Sequence, residues 1–394
     1  MTLSIFDAAE SHGDRVALVG GGREYRFAEL AEMARRAPAQ STLIAERTVD
    51  TAVAIYKALA RAATLTLVHP RLTDAERSAL PPPPSRGGIA VYTSGSTGAP
   101  RPVAITPVML ASSAAASAAH LGWRDGDRWL CPIPLAHVGG LSVVTRCLIA
   151  RQCAVLGDAT ADTIARERVT IASVVPAQLA RLVDGDAPPR LRAVLVGGAA
   201  ASPELVARAR VRGYPVLATY GMTETASQIA TEREPGAGMI PLPGMHVRIE
   251  SGRIFVRGPA VAGRGWLDTG DLGELDARGR LTVHGRADDV IVTGGENVHP
   301  LEVERALAAI PGVAEACVFG VPDPTWGQVV AAALVAAPAP DDGAIARALA
   351  HTLAPFKRPR RLCYLDALGR TPSGKIDRAA TARAATPSLR TLAP

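Results

Sequence analysis

Gly88-Ile-Ala-Val-Tyr-Thr-Ser-Gly-Ser-Thr-Gly98 opens as a short apolar run and ends as a hydroxyl-rich loop. The β-branched and aromatic residues up to Tyr92 predict a buried strand. Thr93, Ser94, Ser96 and Thr97 then place four hydroxyls beside Gly95 and Gly98. The loop therefore hangs from a strand end and offers backbone N–H and side-chain O–H donors to an anion such as phosphate. Arg101 adds positive charge just beyond it. No Gly-Lys-Ser/Thr follows at the spacing of a Walker loop, and GxGxxG, GxSxG and HExxH are all missing from the chain. A plain Ser/Gly surface loop would look the same from these six residues alone.

Outward from the loop, buried strands recur at Cys153 to Leu156, Ile171 to Val175, Ala193 to Val196 and Pro215 to Thr219, separated by Ala/Leu-rich helical stretches. That alternation predicts a layered α/β architecture around a mostly parallel sheet. Before residue 88 the pattern reads as helices and loops, closing on a stiff connector, Pro81 to Pro84, and then Ser-Arg-Gly-Gly. From Val247 to Val283 short alternating runs with Gly turns predict a small antiparallel sheet or barrel. Past Gly285-Arg-Ala-Asp-Asp289 a helix over Pro300 to Ile310, with its entry proline and early glutamates, starts a smaller α+β unit. The reading is thus an α/β chain with a large unit, residues 1–286, a second unit, 287–394, and a frayed last dozen residues.

Composition excludes several function classes. With 48% hydrophobic and only 20% charged residues, the chain can bury a sizeable core and is neither disordered nor fibrous. The net charge of +6 comes from arginines scattered among Ala and Pro, without the stripe that nucleic acid requires, so no nucleic-acid partner is expected. Positive charge does suit small anionic substrates. Five cysteines without CxxC spacing argue against a disulfide framework or a zinc site and favour a cytoplasmic location. The N-terminus has no basic segment leading into an apolar run, so no signal peptide is expected, and no stretch is long enough for a membrane span.

Four further segments carry chemistry: Tyr220-Gly-Met-Thr-Glu-Thr225, Trp266-Leu-Asp-Thr-Gly-Asp271, Gly285-Arg-Ala-Asp-Asp-Val-Ile-Val-Thr-Gly-Gly-Glu296 and Pro372-Ser-Gly-Lys-Ile-Asp-Arg378. In physical terms the Tyr220 ring can stack on a base, Thr223 can bond a phosphate oxygen, and the Glu224 carboxylate can hold Mg²⁺. Asp271 can accept from two ribose hydroxyls, and Lys375 can swing a point charge onto carboxylate and phosphate oxygens. Each has a plain reading beside it: a capped helix start at Thr223 and Glu224, an Asp-Gly turn, a surface lysine.

Together with the loop at Thr93, these motifs resemble, in order, those of the adenylate-forming superfamily of acyl-CoA synthetases, peptide-synthetase adenylation domains and luciferases, over roughly residues 88 to 380. The resemblance implies an enzyme that uses ATP and Mg²⁺ to convert a carboxylic acid into an acyl-AMP and then passes it to the thiol of coenzyme A. It assigns ATP to Thr93 to Gly98, Tyr220, Gly221, Met222, Thr223, Asp271, Arg286 and Lys375, with Thr223, Glu224, His137 and Lys375 at the chemistry. It also makes the C-terminal unit mobile about a hinge at Asp288, a rotation that would replace Lys375 by Gly294, Gly295 and Glu296 at a channel for the thiol. A homodimer is a further family expectation.

Within the superfamily, Tyr220 to Thr231 and His137-Val-Gly-Gly-Leu-Ser142 are similar to the o-succinylbenzoate–CoA ligases of menaquinone synthesis. His137, Gly197 and Gly198 would border the acid, with Ser227 and Gln228 as polar contacts. Arg146, in an otherwise apolar helix-like run, would hold the carboxylate that does not react; a structural ion pair is its other reading. The chain departs from the family in its short segment before Thr93, in Arg101 where a lysine is usual, and in Pro102. A ligase for another aryl or short acyl acid, and a non-catalytic nucleotide-binding protein, are the competing readings.

Overall fold

A computed structural model describes residues 2–83, 87–94, 100–371 and 374–392. Its largest sheet has nine strands in the order Ile240–Pro241, Ser227–Thr231, Val216–Met222, Ala193–Val196, Ile171–Val174, Arg128–Cys131, Cys153–Leu156, Val16–Gly20 and Arg23–Arg26. The six from Val216–Met222 to Val16–Gly20 run parallel, as the largely apolar character of most of them suits for strands covered on both faces. Antiparallel strands close both edges. A second sheet, Thr42–Ile44, Thr64–Val68, Gly88–Ser94 and Pro100–Ile105, carries the run quoted first. Helices Val49–Ala60, Pro107–Leu121 and Val138–Ala150 contribute Tyr56, Met109 and Leu141 to the principal core, which also buries Trp129 and Phe27.

Helix starts follow local capping. Thr106 accepts from the Met109 N–H at 3.2 Å ahead of Pro107, and Thr48, Thr160 and Ser202 cap their helices likewise. Beyond the large sheets lie a four-stranded antiparallel sheet, His246–Glu250, Arg253–Arg257, Leu267–Leu275 and Leu281–Arg286, and then a mixed sheet built on Val313–Asp323 and Gly327–Ala336. Helices Pro300–Ala308, Asp342–Thr352 and Arg378–Ala385 pack against that last sheet, around separate cores that include Val318 and Leu334 on one side and Phe319 and Ala333 on the other.

Three expectations need correction. The segment before Gly88 also contains the strands Val16–Gly20, Arg23–Arg26, Thr42–Ile44 and Thr64–Val68; runs this short carry too few alternations to register as strands. The C-terminal stretch is not frayed where described: Arg390–Thr391 pairs with Arg361–Leu362, and Leu392 is buried. The capped helix start that was the plain reading of Thr223 and Glu224 is a single 3₁₀ turn, Thr223–Thr225, at the end of the strand Val216–Met222. Among the described residues no helix is long and apolar enough to cross a membrane.

Candidate active site

The strand Val216–Met222 and its neighbour Ser227–Thr231 approach so closely that a Cβ at Gly221 would meet the Ser227 carbonyl oxygen at 1.7 Å. Only glycine fits there. The turn between them holds Ala226 and Ser227 at positive φ, 49° and 104°, a strained backbone of the kind found at ligand sites. Tyr220 projects from the same strand and donates its hydroxyl to Asp271 Oδ2 at 2.5 Å. Arg286 donates to Asp271 Oδ1 at 3.2 Å and to the Thr269 carbonyl at 2.9 Å, while the Asp271 N–H bonds Thr269 Oγ1 at 3.1 Å. Burial raises the Asp271 pKa against the opposing pull of Tyr220 and Arg286, and burial, then the Asp271 charge, pushes the Tyr220 phenol well up. The result is a carboxylate in a half-closed polar cradle suited to hydroxyl donors.

Lys375 enters from the C-terminal unit on a tight loop, closed by the Thr371 N–H on the Lys375 carbonyl at 2.8 Å and by Arg370 on the Gly374 carbonyl at 3.0 Å. The residue retains exposed surface, and its charged end is the enclosed part: burial lowers its pKa, with the charges of Asp271 and Glu224 opposing. Its Cε lies 3.9 Å from where a Cβ on Gly198 would stand; Gly198 itself has φ +78°. Thus Lys375, Gly198, Glu224, Asp271 and Arg286 converge. Thr223 immediately precedes Glu224, whose carboxylate makes no hydrogen bond or ion pair among the described residues. Mg²⁺ is held by one or two carboxylates plus substrate phosphates, so this free carboxylate fits the ion. The Thr93 hydroxyl contacts the Arg101 carbonyl at 3.4 Å across the hairpin, and Pro102 pairs with Tyr92. Gly95, Ser96, Thr97 and Gly98 lie outside the described residues.

The other wall comes from helix Val138–Ala150, which His137 precedes at the N-cap position. The His137 Nε2 is buried without a partner, and burial, the nearby His69 and Lys375 lower its pKa to about 3, so the ring is neutral. Arg146 lies nine residues further along, 3% exposed, and makes no ion pair among the described residues. It donates to Ser113 Oγ at 3.1 Å and stands 5.6 Å from the Trp129 ring centroid, and its Nε has no partner. Burial lowers its pKa to about 9. Ser113 in turn donates to the Ala226 carbonyl at 2.7 Å, and Ser142 meets Ser227 at 3.3 Å, so this helix supports the strained turn. Gln228 points its amide nitrogen to Thr219 and Thr231, at 3.2 and 2.8 Å, and leaves Oε1 buried and unpaired. Gly197 packs against Thr219, where a Cβ would meet Cγ2 at 2.7 Å.

Asp288 is exposed on the short turn Ala287–Asp289, 3.7 Å from Arg286. Gly294 and Gly295 form the tip of an exposed hairpin that continues into Glu296, with Gly294 against Trp326. The structure therefore brings Lys375, and not this hairpin tip, to the site. Sequence reading overlooked Ser113, Ser142 and His69. His69 stands directly after the strand Thr64–Val68, beside Gly88–Ser94, at the strand ends where α/β sheets bind ligands, but that short strand was not legible in the sequence.

A family model described as AMP-binding enzyme matches residues 38–266, and one described as AMP-binding enzyme C-terminal domain matches residues 302–375. The 2-succinylbenzoate–CoA ligase of Bacillus mycoides strain KBAB4 is 37% identical over 325 residues, which cover 73% of this chain and 68% of the relative. That of Bacillus licheniformis is 38% identical over 327 residues, with shares of 73% and 68%. The o-succinylbenzoate coenzyme A synthetase of Bacillus subtilis, solved in complex with its acyl-adenylate intermediate, superposes with a TM-score of 0.86 at 29% identity, covering 96% of this chain and 97% of that one. The same enzyme with ATP and magnesium ion also gives 0.86 at 29% identity, over 96% and 98%.

Proposed function

The chain belongs to the AMP-binding enzyme family, and on that premise we propose that it is an ATP-dependent acid–thiol ligase joining 2-succinylbenzoate to coenzyme A through an acyl-adenylate. A carboxylate oxygen attacks the α-phosphorus of ATP, and the bond to pyrophosphate breaks. The coenzyme A thiol then attacks the acyl carbon, loses its proton, and AMP leaves.

Each residue has a share in this. Asp271, with Tyr220 and Arg286 behind it, receives the ribose hydroxyls, and Tyr220 offers a ring face to adenine. Thr93 to Gly98 and Thr223 supply donors to phosphate oxygens, and Lys375 stabilises the charge developing between the carboxylate and the α-phosphate. Glu224 would hold Mg²⁺, which when bound neutralises phosphate charge. His137, neutral, borders the reacting carboxylate beside Gly197 and Gly198, and Ser227 and Gln228 line the acid. Residues 1–286 and 287–394 act as two units about Asp288, and their rotation withdraws Lys375 and presents Gly294, Gly295 and Glu296 for the thiol step. Five buried, unpaired cysteines support a reducing compartment such as the cytoplasm.

The observation that carries the substrate is Arg146. A fully buried guanidinium with no counter-ion is costly, and it is relieved by a ligand that brings a second carboxylate. The test is pyrophosphate release and thioester formation over a panel of acids. 2-Succinylbenzoate should be turned over far faster than benzoate or a fatty acid; the reverse ranking would reassign the enzyme to another acid, and ATP binding without pyrophosphate release from any acid would make it a binding protein.

A further inference from the structure

Two imidazoles meet at the reacting centre, and only His137 has been given a role. His69 leaves the sheet immediately after Thr64–Val68. Leu67 of that strand pairs with Val91, two residues before Thr93, so His69 stands alongside the start of the phosphate loop. It is 8% exposed. The Arg71 backbone N–H donates to its Nδ1 at 3.1 Å, which fixes the neutral ring with its proton on Nε2. That Nε2 is buried and has no acceptor among the described residues.

The His69 ring lies 4.8 Å from that of His137, tilted by 41°, and the two do not bond each other. Burial and then the Arg71 charge lower the His69 pKa, so His69, like His137, is neutral. Lys375 is close enough to act on His137 electrostatically. The group left over is an enclosed N–H donor with a fixed tautomer, beside His137, which itself lies within reach of the Lys375 charge. Donors in that setting are completed by an anionic oxygen.

We infer that His69 is a further substrate-touching residue, donating its Nε2–H to an anionic oxygen of the acid–ATP pair during adenylation. This rests on the ligase reading above. The oxygen belongs either to the reacting carboxylate or to a phosphate, and the two sources separate in the KM values: the acid's KM rises in the first case, that of ATP in the second.

The experiment compares the full-length wild type with His69→Phe, which preserves the ring against His137 but has no N–H, and with His69→Gln, whose amide reaches the Nε2 position. Pyrophosphate release from ATP and 2-succinylbenzoate is measured beside thioester formation from preformed acyl-adenylate. His69→Phe should lower kcat/KM for the first reaction by about 10- to 100-fold, the worth of one hydrogen bond to a charged group, and leave the second unchanged. His69→Gln should recover most of the loss. An active wild type with a fully active His69→Phe overturns this inference alone, as do equal losses in both variants and both reactions, which would mark His69 as packing. A wild type that releases no pyrophosphate with any acid overturns the ligase reading and this one with it.

Discussion

On the side proposed for the nucleotide Tyr220, Asp271, Arg286 and Thr269 bond one another, whereas on the side proposed for the acid Arg146 Nε, His137 Nε2, His69 Nε2 and Gln228 Oε1 are buried without partners among the described residues. The first region is a finished cradle whose parts hold each other in place before a ligand arrives. The second carries polar groups that the fold leaves unsatisfied, at a cost in stability that a bound ligand would offset. A closed network therefore marks where geometry is pre-set, and a cluster of orphaned donors marks where the ligand supplies the missing half.

The largest effect should come from the residue that spans both sides. Lys375→Ala is expected to slow acyl-adenylate formation by about 10² to 10³-fold, comparable to losing one oxyanion donor, while thioester formation from preformed adenylate stays near wild type. Equal loss in both half-reactions would remove the distinction between them. Breaking the closed side with Asp271→Asn should raise the KM for ATP by about 10- to 100-fold and leave the acid's KM little changed, as steady-state kinetics varying each substrate would reveal.

The pH dependence follows from the enclosed ammonium. Burial puts the Lys375 pKa below the ordinary lysine value, and the role proposed for it in adenylation needs the charged form. The rate is therefore full at lower pH and falls as pH rises through that lowered pKa, tenfold for each further unit at about the limiting slope. Lys375→Arg, slower overall, should show no such fall; an identical descending limb in both would assign it to another group. The smallest effect contrasts the two regions in the ligand-free protein. Replacing the unpaired charge by an apolar chain in Arg146→Met should raise stability by about 1 kcal/mol, whereas Asp271→Asn, which removes a partner from Arg286, should lower it; opposite shifts in thermal midpoint are the readout.

Much of this was legible from residues alone. The strand Gly88–Ser94, the parallel sheet and the small antiparallel sheet at Val247 to Val283 follow from alternation and β-branched runs, and Tyr220, Asp271 and Arg286 stand in dense motifs. Arg146 was visible as a charge in an apolar helix, although only the structure reveals that no acidic partner among the described residues reaches it. His69 was missed because a lone histidine after a short strand has no motif around it; its meaning comes from Arg71 and His137, one local and one distant in the chain. The paired tail at Arg390–Thr391 was missed because two residues show no periodicity, and their order is supplied by the neighbouring strand Arg361–Tyr364.

The most direct test of the contrast is selectivity at Arg146. The ratio of kcat/KM for 2-succinylbenzoate to that for its analogue with the non-reacting carboxylate as a carboxamide should be about 100 in the wild type and close to one in Arg146→Met. A ratio that survives the substitution unchanged would contradict the claim that the acid side is completed by the substrate's second carboxylate.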